Sequence, residues 1–233
     1  MRTKSIFFLT IILLVGLFAC EKPDQPEAKL PVPEAVDLGL SVKWASLNVG
    51  ARTPQDYGYF FAWGETSPKD NAFVLKNYQF NQGGDSWSLT KYNTDNTYGS
   101  VTDGKRVLEL ADDAAYAAYG GAWRMPTSEE VKELCEANFL LRKVVREEGV
   151  LGIRVTSAKT GNSIFLPAAG MKYESVSTQR EGEQGCYWSS SLSEHTSSMA
   201  DQFWIIPSLD RKDDVMYKYY QSRFVGASVR AVQ

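Results

Sequence analysis

Four prolines, Pro23, Pro26, Pro31 and Pro33, fall within eleven residues near the start of a 233-residue chain. Proline fixes φ and removes a backbone donor, so this stretch, mixed with Glu27 and Lys29, favours extended chain that acts as a semi-rigid spacer. It separates a short apolar leader from a body, residues 35–233, that contains no second linker, low-complexity block or internal repeat. Any fold must come from that body. The chain's twelve Tyr, eleven Phe and six Trp supply bulk for a sizeable core and leave rings over for a surface. A 23% charged and 43% hydrophobic composition excludes wholesale disorder.

In the leader, Arg2 and Lys4 precede an apolar run over residues 6–18 that is broken only by Thr10 and Gly16. A spanning helix needs roughly 20 apolar residues, so the run is short for a membrane crossing. It stops at Leu17-Phe18-Ala19-Cys20 and gives way at once to Glu21-Lys22-Pro23-Asp24. This resembles a bacterial lipoprotein signal with its lipobox; an ordinary secretory signal cut nearby is the alternative. The resemblance implies a signal peptide over residues 1–19, lipidation of Cys20 with palmitate-type acyl chains, and a tether over residues 20–34. Each buried CH₂ contributes about 0.8 kcal/mol, so more than one acyl chain on Cys20 would anchor the protein durably. Glu21, Asp24 and Glu27 resemble the acidic signals that send lipoproteins of Bacteroidetes to the outer face, which implies an outer-membrane, surface-exposed location.

The formal charge is −3. Without Arg2 and Lys4, 23 basic residues face 28 acidic ones, a balance of −5. No Lys/Arg run tracks phosphates, which argues against nucleic acid as a partner. One histidine and three cysteines leave little for a His-rich metal site or a disulfide scaffold.

The body reads as α+β. Val36-Asp37-Leu38-Gly39-Leu40 and Val42-Lys43-Trp44-Ala45 alternate loosely, as short strands do, and Tyr59-Phe60-Phe61-Ala62-Trp63 is a buried-strand candidate ended by Gly64. Residues 67–106 hold Asn, Asp, Gly, Ser and Thr with scattered rings, a long excursion that carries function or supports itself as an Ω-like insert. Asp112 and Asp113 open an alanine-rich helix that Gly120-Gly121 stops. Thr127-Ser128-Glu129-Glu130 is a capping box after Pro126, and Val131, Leu134 and Cys135 then share a face, so Cys135 reads as core. Lys159-Thr160-Gly161-Asn162 joins Ile153-Arg154-Val155 to Ser163-Ile164-Phe165-Leu166 as a hairpin. Segments 187–190, 203–206 and 227–232 supply further strands, while residues 139–148 fit a helix as well as a strand.

The motifs Val36-Asp37-Leu38-Gly39-Leu40-Ser41-Val42-Lys43-Trp44-Ala45, Phe61-Ala62-Trp63-Gly64-Glu65-Thr66, Asp112-Asp113-Ala114-Ala115 and Trp123-Arg124-Met125-Pro126-Thr127 occur in that order. Gly161-Asn162-Ser163-Ile164-Phe165-Leu166-Pro167-Ala168-Ala169-Gly170, Tyr187-Trp188-Ser189-Ser190 and Ser228-Val229-Arg230 follow. Together they resemble the Fibrobacter succinogenes major paralogous domain, abundant in lipoproteins of gut Bacteroidetes, over about residues 36–232. The helix start at Arg124-Met125-Pro126-Thr127 and the segment 226–230 are also similar to the formylglycine-generating-enzyme group. The resemblance implies a C-type-lectin-like fold: a small antiparallel sheet, two helices and long loops. Residues 139–148 depart from the family pattern of alternating tryptophans.

The oxidase of that second group holds copper between two late cysteines, whereas the late half here has only Cys186. Cys135 and Cys186 are therefore open to a copper pair, a disulfide, or two separate buried thiols. His195 stands in a polar run near Ser189, Ser190 and Ser191 without a glycine elbow or orienting acid, and reads as a surface histidine. Glu65 reads as a turn residue after a strand, and the aspartates at 112 and 113 as complements to a helix dipole. No cofactor is required; calcium is the one that the residue types allow, with Asn93, Asp95, Asp103, Asp112 and Asp113 as ligands, although their spacing fits no EF-hand. Arg124 and Arg230 read as structural, forked onto carboxylates or carbonyls. Trp44, Trp63, Trp123 and Trp188 read as core.

Trp87, Tyr92, Tyr98, Tyr217, Tyr219 and Tyr220 sit in polar surroundings and are the candidate ligand-binding rings, carried on loops. The alternative is that each pins its own loop. The expectation is thus a lipid-anchored surface module that recognises a glycan or a surface protein and is not an enzyme. The contenders are a carboxylate- or metal-dependent hydrolase and a structural accessory subunit of a surface assembly.

Overall fold

The structure is a computed structural model that describes residues 30–69, 71–175, 177–208 and 216–233. Cys20, the signal and most of the tether lie outside the described residues.

In chain order the elements are β1 (Ala35–Val36), β2 (Trp44–Asn48), α1 (Ala114–Tyr119), α2 (Ser128–Glu136), β3 (Leu140–Glu147), β4 (Val150–Ser157), β5 (Ser163–Pro167), β6 (Gly185–Leu192), β7 (Met199–Ile205), β8 (Met216–Ser222) and β9 (Arg230–Val232). They form three small antiparallel sheets, β1-β2-β9, β3-β4-β5 and β6-β7-β8. The architecture is α+β, dominated by short strands with two helices.

The strand expected over residues 36–40 stops at Val36, because the Gly39 N–H turns back onto Asp37 Oδ1 at 2.7 Å. Residues 60–63 are buried and Tyr59 is exposed, and the segment makes only an isolated bridge, Phe61 to Ala227. Its alternate N–H groups bond to two separate segments: Tyr59 to Val49, and Phe61 and Trp63 to Ala227 and Arg223. A backbone that satisfies its donors piecemeal needs no neighbouring strand.

Residues 139–148 resolve as strand. Leu140–Glu147 pairs with Val150–Ser157 along its full length through a two-residue turn at Glu148 and Gly149. Both turn residues have positive φ, 48° and 88°, the combination whose twist matches two antiparallel strands. Both helix starts follow the sequence. Asp113 accepts from the N–H groups of Ala115 and Tyr116, and Thr127 and Glu130 complete a capping box.

The C-terminal segment is the seam. Gly226 bridges Lys172, Ala227 bridges Phe61, Ser228 bridges Tyr187 in parallel, and Val232 bridges Arg124 and pairs with Trp44. On one side lies a cluster containing Trp63, Tyr78, Phe80, Tyr92, Trp123 and Trp188. The other holds Trp44, Val131, Leu134, Ile153, Tyr187 and Phe203. Arg230 is fully buried at the seam and donates to Asn48 Oδ1 (2.8 Å) and to the carbonyls of Ala45 (3.0 Å) and Phe165 (2.9 Å). Burial lowers its pKa to about 10, so it stays charged at neutral pH. Arg124 forks onto Glu130 with bonds of 2.8 and 2.6 Å, tying the chain before α2 to its first turn.

Candidate functional site

Among its described residues the long excursion has no helix or strand beyond single 3₁₀ turns at Leu75–Asn77 and Asn96–Tyr98. Its Asn and Asp side chains take the place of backbone partners. Asn81 donates to Gly84 and Ser86 carbonyls and accepts from Ser88 N–H, and the Asp103 carboxylate accepts from the N–H groups of Tyr92, Asn93 and Lys105. Side-chain acceptors that copy a missing strand let a long loop hold one shape.

Tyr92 is part of that support. It is fully buried and has φ 57°, a costly left-handed conformation for a bulky residue. Its hydroxyl donates to Asp112 (2.5 Å) and accepts from Glu109 N–H (2.9 Å). Burial pushes the phenol up to about 12. Beside it lies Arg223, which the sequence reading passed over. Arg223 is fully buried, lies over the rings of Trp63, Tyr78, Phe80 and Tyr92, and donates to Tyr78 Oη and the carbonyls of Lys91, Tyr92 and Ser197. Trp87 and Tyr98 are half-buried against each other, with Trp87 also against Phe224, ring centroids 6.0 Å apart in each pair. Tyr92 is therefore no surface ligand ring, and Trp87 and Tyr98 pin their own loop.

The calcium set is likewise drawn into the scaffold. Asp95 caps the turn at Asn96–Tyr98 and Asp112 takes Lys91 and Tyr92. Asp113 holds α1 and the Met125 N–H, while the Asn93 amide donates to Val101. Among the described residues no group of three or more His, Cys, Asp or Glu lies close enough to hold a metal ion. Glu65 is buried in a turn, paired with Lys69 at 2.6 Å.

The other three rings take a different course. Tyr217, Tyr219 and Tyr220 lie on β8, a strand at the edge of its sheet, not on a loop. Tyr219 and Tyr220 are 39% and 36% exposed. Cross-strand pairing puts Trp204 of β7 opposite Tyr217 and Gln202 opposite Tyr219. Trp204 packs on Tyr219 at 4.2 Å between centroids, its indole N–H fixed on Gln202 Oε1 at 2.7 Å. From Tyr217 the rings continue through Tyr219 (6.3 Å) to Tyr220 (5.2 Å, parallel) and on to His195 (4.7 Å) in the β6–β7 connection. That is a continuous strip of five rings.

At its His195 end the strip borders a cleft of about 230 Å³ lined by Glu194, His195, Asp201, Lys218, Tyr219 and Tyr220. Asp201 is 4% exposed, and its Oδ2 receives the Ser128 hydroxyl of α2 at 2.7 Å and the Lys218 ammonium at 3.0 Å. Both bonds fall on one oxygen, so the carboxylate is held in a fixed orientation at the wall of the cleft. An acceptor, an ammonium donor, an imidazole and two ring faces are what a hydroxyl-rich molecule needs. Asp201, Lys218, Glu194 and Trp204 escaped the sequence reading because only pairing of β7 with β8 assembles them. The alternation Tyr217-Lys218-Tyr219 was the available signal.

The remaining candidates separate. Cys135 and Cys186 are free and lie against different core clusters, so the disulfide does not form and the copper pair is not gathered. Burial pushes both thiols up to about 12. Ser189 and Ser190 donate their hydroxyls to the carbonyls of Asp201 and Pro126, and Ser191 accepts from Ser128 N–H, so these serines turn to the backbone. No family model, curated protein or solved structure matches this chain. Its function has to be argued from the site.

Proposed function

We propose that this protein is a recognition module carried on a lipid anchor at Cys20 and displayed at the outer membrane. It would grip a glycan or a surface protein through the ring strip of β8. The observation that carries this reading is the run from half-buried Tyr217 through exposed Tyr219 and Tyr220 to His195 beside a polar cleft, on a molecule whose other large rings are mostly buried. Exposed aromatic bodies with polar tips are favoured wherever a partner is bound reversibly, because they bury much area at low entropic cost. A lectin-like fold and kinship with the Fibrobacter succinogenes major paralogous domain belong to the same proposal; the small sheets, two helices and long self-supported loop are in keeping with it.

The test compares two tryptophan or tyrosine sets on an immobilised glycan array and on surface-protein extracts. Tyr219→Ala and Tyr220→Ala should abolish capture, and Trp87→Ala should leave it intact. Loss of capture only in the Trp87 variant would overturn the reading. A second reading, hydrolysis, is favoured by one observation: Glu194 and Asp201 share the cleft. Release of reducing sugar that disappears in Asp201→Asn would establish it instead.

A further inference from the structure

The strip and the cleft together say more about the ligand than that it is bound. Resting on the reading above, we infer that the site takes a linear, uncharged glycan chain lying along β8, with one sugar in the cleft and the following sugars across Tyr219, Trp204 and Tyr217.

Three features support this. First, the cleft lining contains no Leu, Ile, Val, Met or Phe. A protein partner seats apolar anchors in an apolar core, whereas every residue here offers a hydrogen-bonding group, and the only apolar surface is ring face. Sugars present this mixture, with hydroxyls around the rim and an apolar C–H face. Second, the receiving groups are prearranged. Asp201 is held by Ser128 and Lys218, and Trp204 by Gln202. Rigid groups lose little freedom on binding, as a weakly stacking ligand requires. Third, the rings do not end at the cleft. Ring contacts of 4.7, 5.2 and 6.3 Å link His195 to Tyr217 in series, a reach longer than one sugar. A single sugar would leave the far rings unused.

Charge decides between neutral and acidic chains. Lys218 is matched by Asp201, which among the described residues leaves the Glu194 carboxylate as the charge lining the cleft without a countercharge. Uronate or sulfate groups would be repelled there.

The test uses purified full-length protein in detergent and ladders of cello-, xylo- and manno-oligosaccharides from one to six units, read by calorimetry. In the ladder that binds, affinity should climb about tenfold or more between one and three units and then level off, a gain on the scale of a few ring contacts. Tyr217→Ala should weaken the tetrasaccharide several times more than the monosaccharide. Lys218→Met, less exposed to misfolding than a change at Asp201, should weaken every length. Equal affinity for one and six units would overturn the chain inference and leave the recognition reading standing. So would binding confined to sulfated or uronic chains. Capture of a surface protein that Tyr219→Ala abolishes, with every ladder silent, would also overturn it. Shortened oligosaccharides would overturn both readings.

Discussion

Tyr92 and Tyr219 look alike in the sequence, each a tyrosine among polar neighbours, yet one is fully buried and the other 39% exposed. The long loop turns its rings inward because it has no ladder of its own, and its Asn and Asp side chains leave gaps that Tyr78, Phe80 and Tyr92 fill around Arg223. β8 has a ladder to β7 on one side, and as the edge strand of its sheet it leaves Tyr219 and Tyr220 exposed. The two regions meet at Arg223, one residue beyond β8, whose guanidinium reaches into the loop. Rings in the first region hold the fold, and two rings in the second, Tyr219 and Tyr220, stay exposed.

This contrast can be broken by experiment. The largest effect is expected at Arg223. Arg223→Met takes the donor from the carbonyls of Lys91, Tyr92 and Ser197 and from the Tyr78 hydroxyl, which keeps its bond to Trp63 O, and should cost about 3–5 kcal/mol in urea unfolding. A loss below about 1 kcal/mol would show that the loop does not depend on it. Next, Tyr92→Phe removes the bonds to Asp112 and Glu109 and should cost about 1–3 kcal/mol, while Tyr219→Ala should change stability by about 0.5 kcal/mol or less. Equal losses at the two tyrosines would erase the distinction drawn here.

Acid should sharpen it further. The Glu130 carboxyl is raised by burial but lowered more strongly by the Arg124 fork and the Thr127 N–H, so it lies below its ordinary value of 4.5. A depressed carboxylate contributes its full stabilisation above that ordinary value and loses it as pH falls through the folded one. Glu130→Gln should therefore flatten the acid limb of a stability–pH curve, and an unchanged limb would place the acid-sensitive groups elsewhere. The smallest effect concerns the thiols. With both pushed up to about 12, Cys135 and Cys186 should react with a thiol reagent at pH 8 about a hundredfold or more slowly in the native protein than in urea. Rapid native labelling of Cys135 would show that α2 opens.

Much of the scaffold was legible. The capping box, the alanine-rich helix and the hairpin closed by Lys159-Thr160-Gly161-Asn162 are local signals, decided by neighbours within a few residues, and each appears where it was read. Arg124 and Arg230 also follow expectation, one forked onto a carboxylate and the other onto carbonyls and an amide oxygen. The candidate site was legible only in part. Tyr217, Tyr219 and Tyr220 were singled out but placed on a loop; Tyr92, Trp87 and Tyr98 were singled out and serve the fold.

Residue order alone settled where helices begin, which stretches turn, and that a ring-rich body follows a proline-rich stretch. The direction each ring faces was settled only by folding, since a side chain's exposure depends on what distant backbone packs above it. Tyr92 has Arg223 against it from 131 positions further on, whereas Tyr219 at the sheet edge meets Trp204, Tyr217 and Tyr220 of its own hairpin and stays 39% exposed.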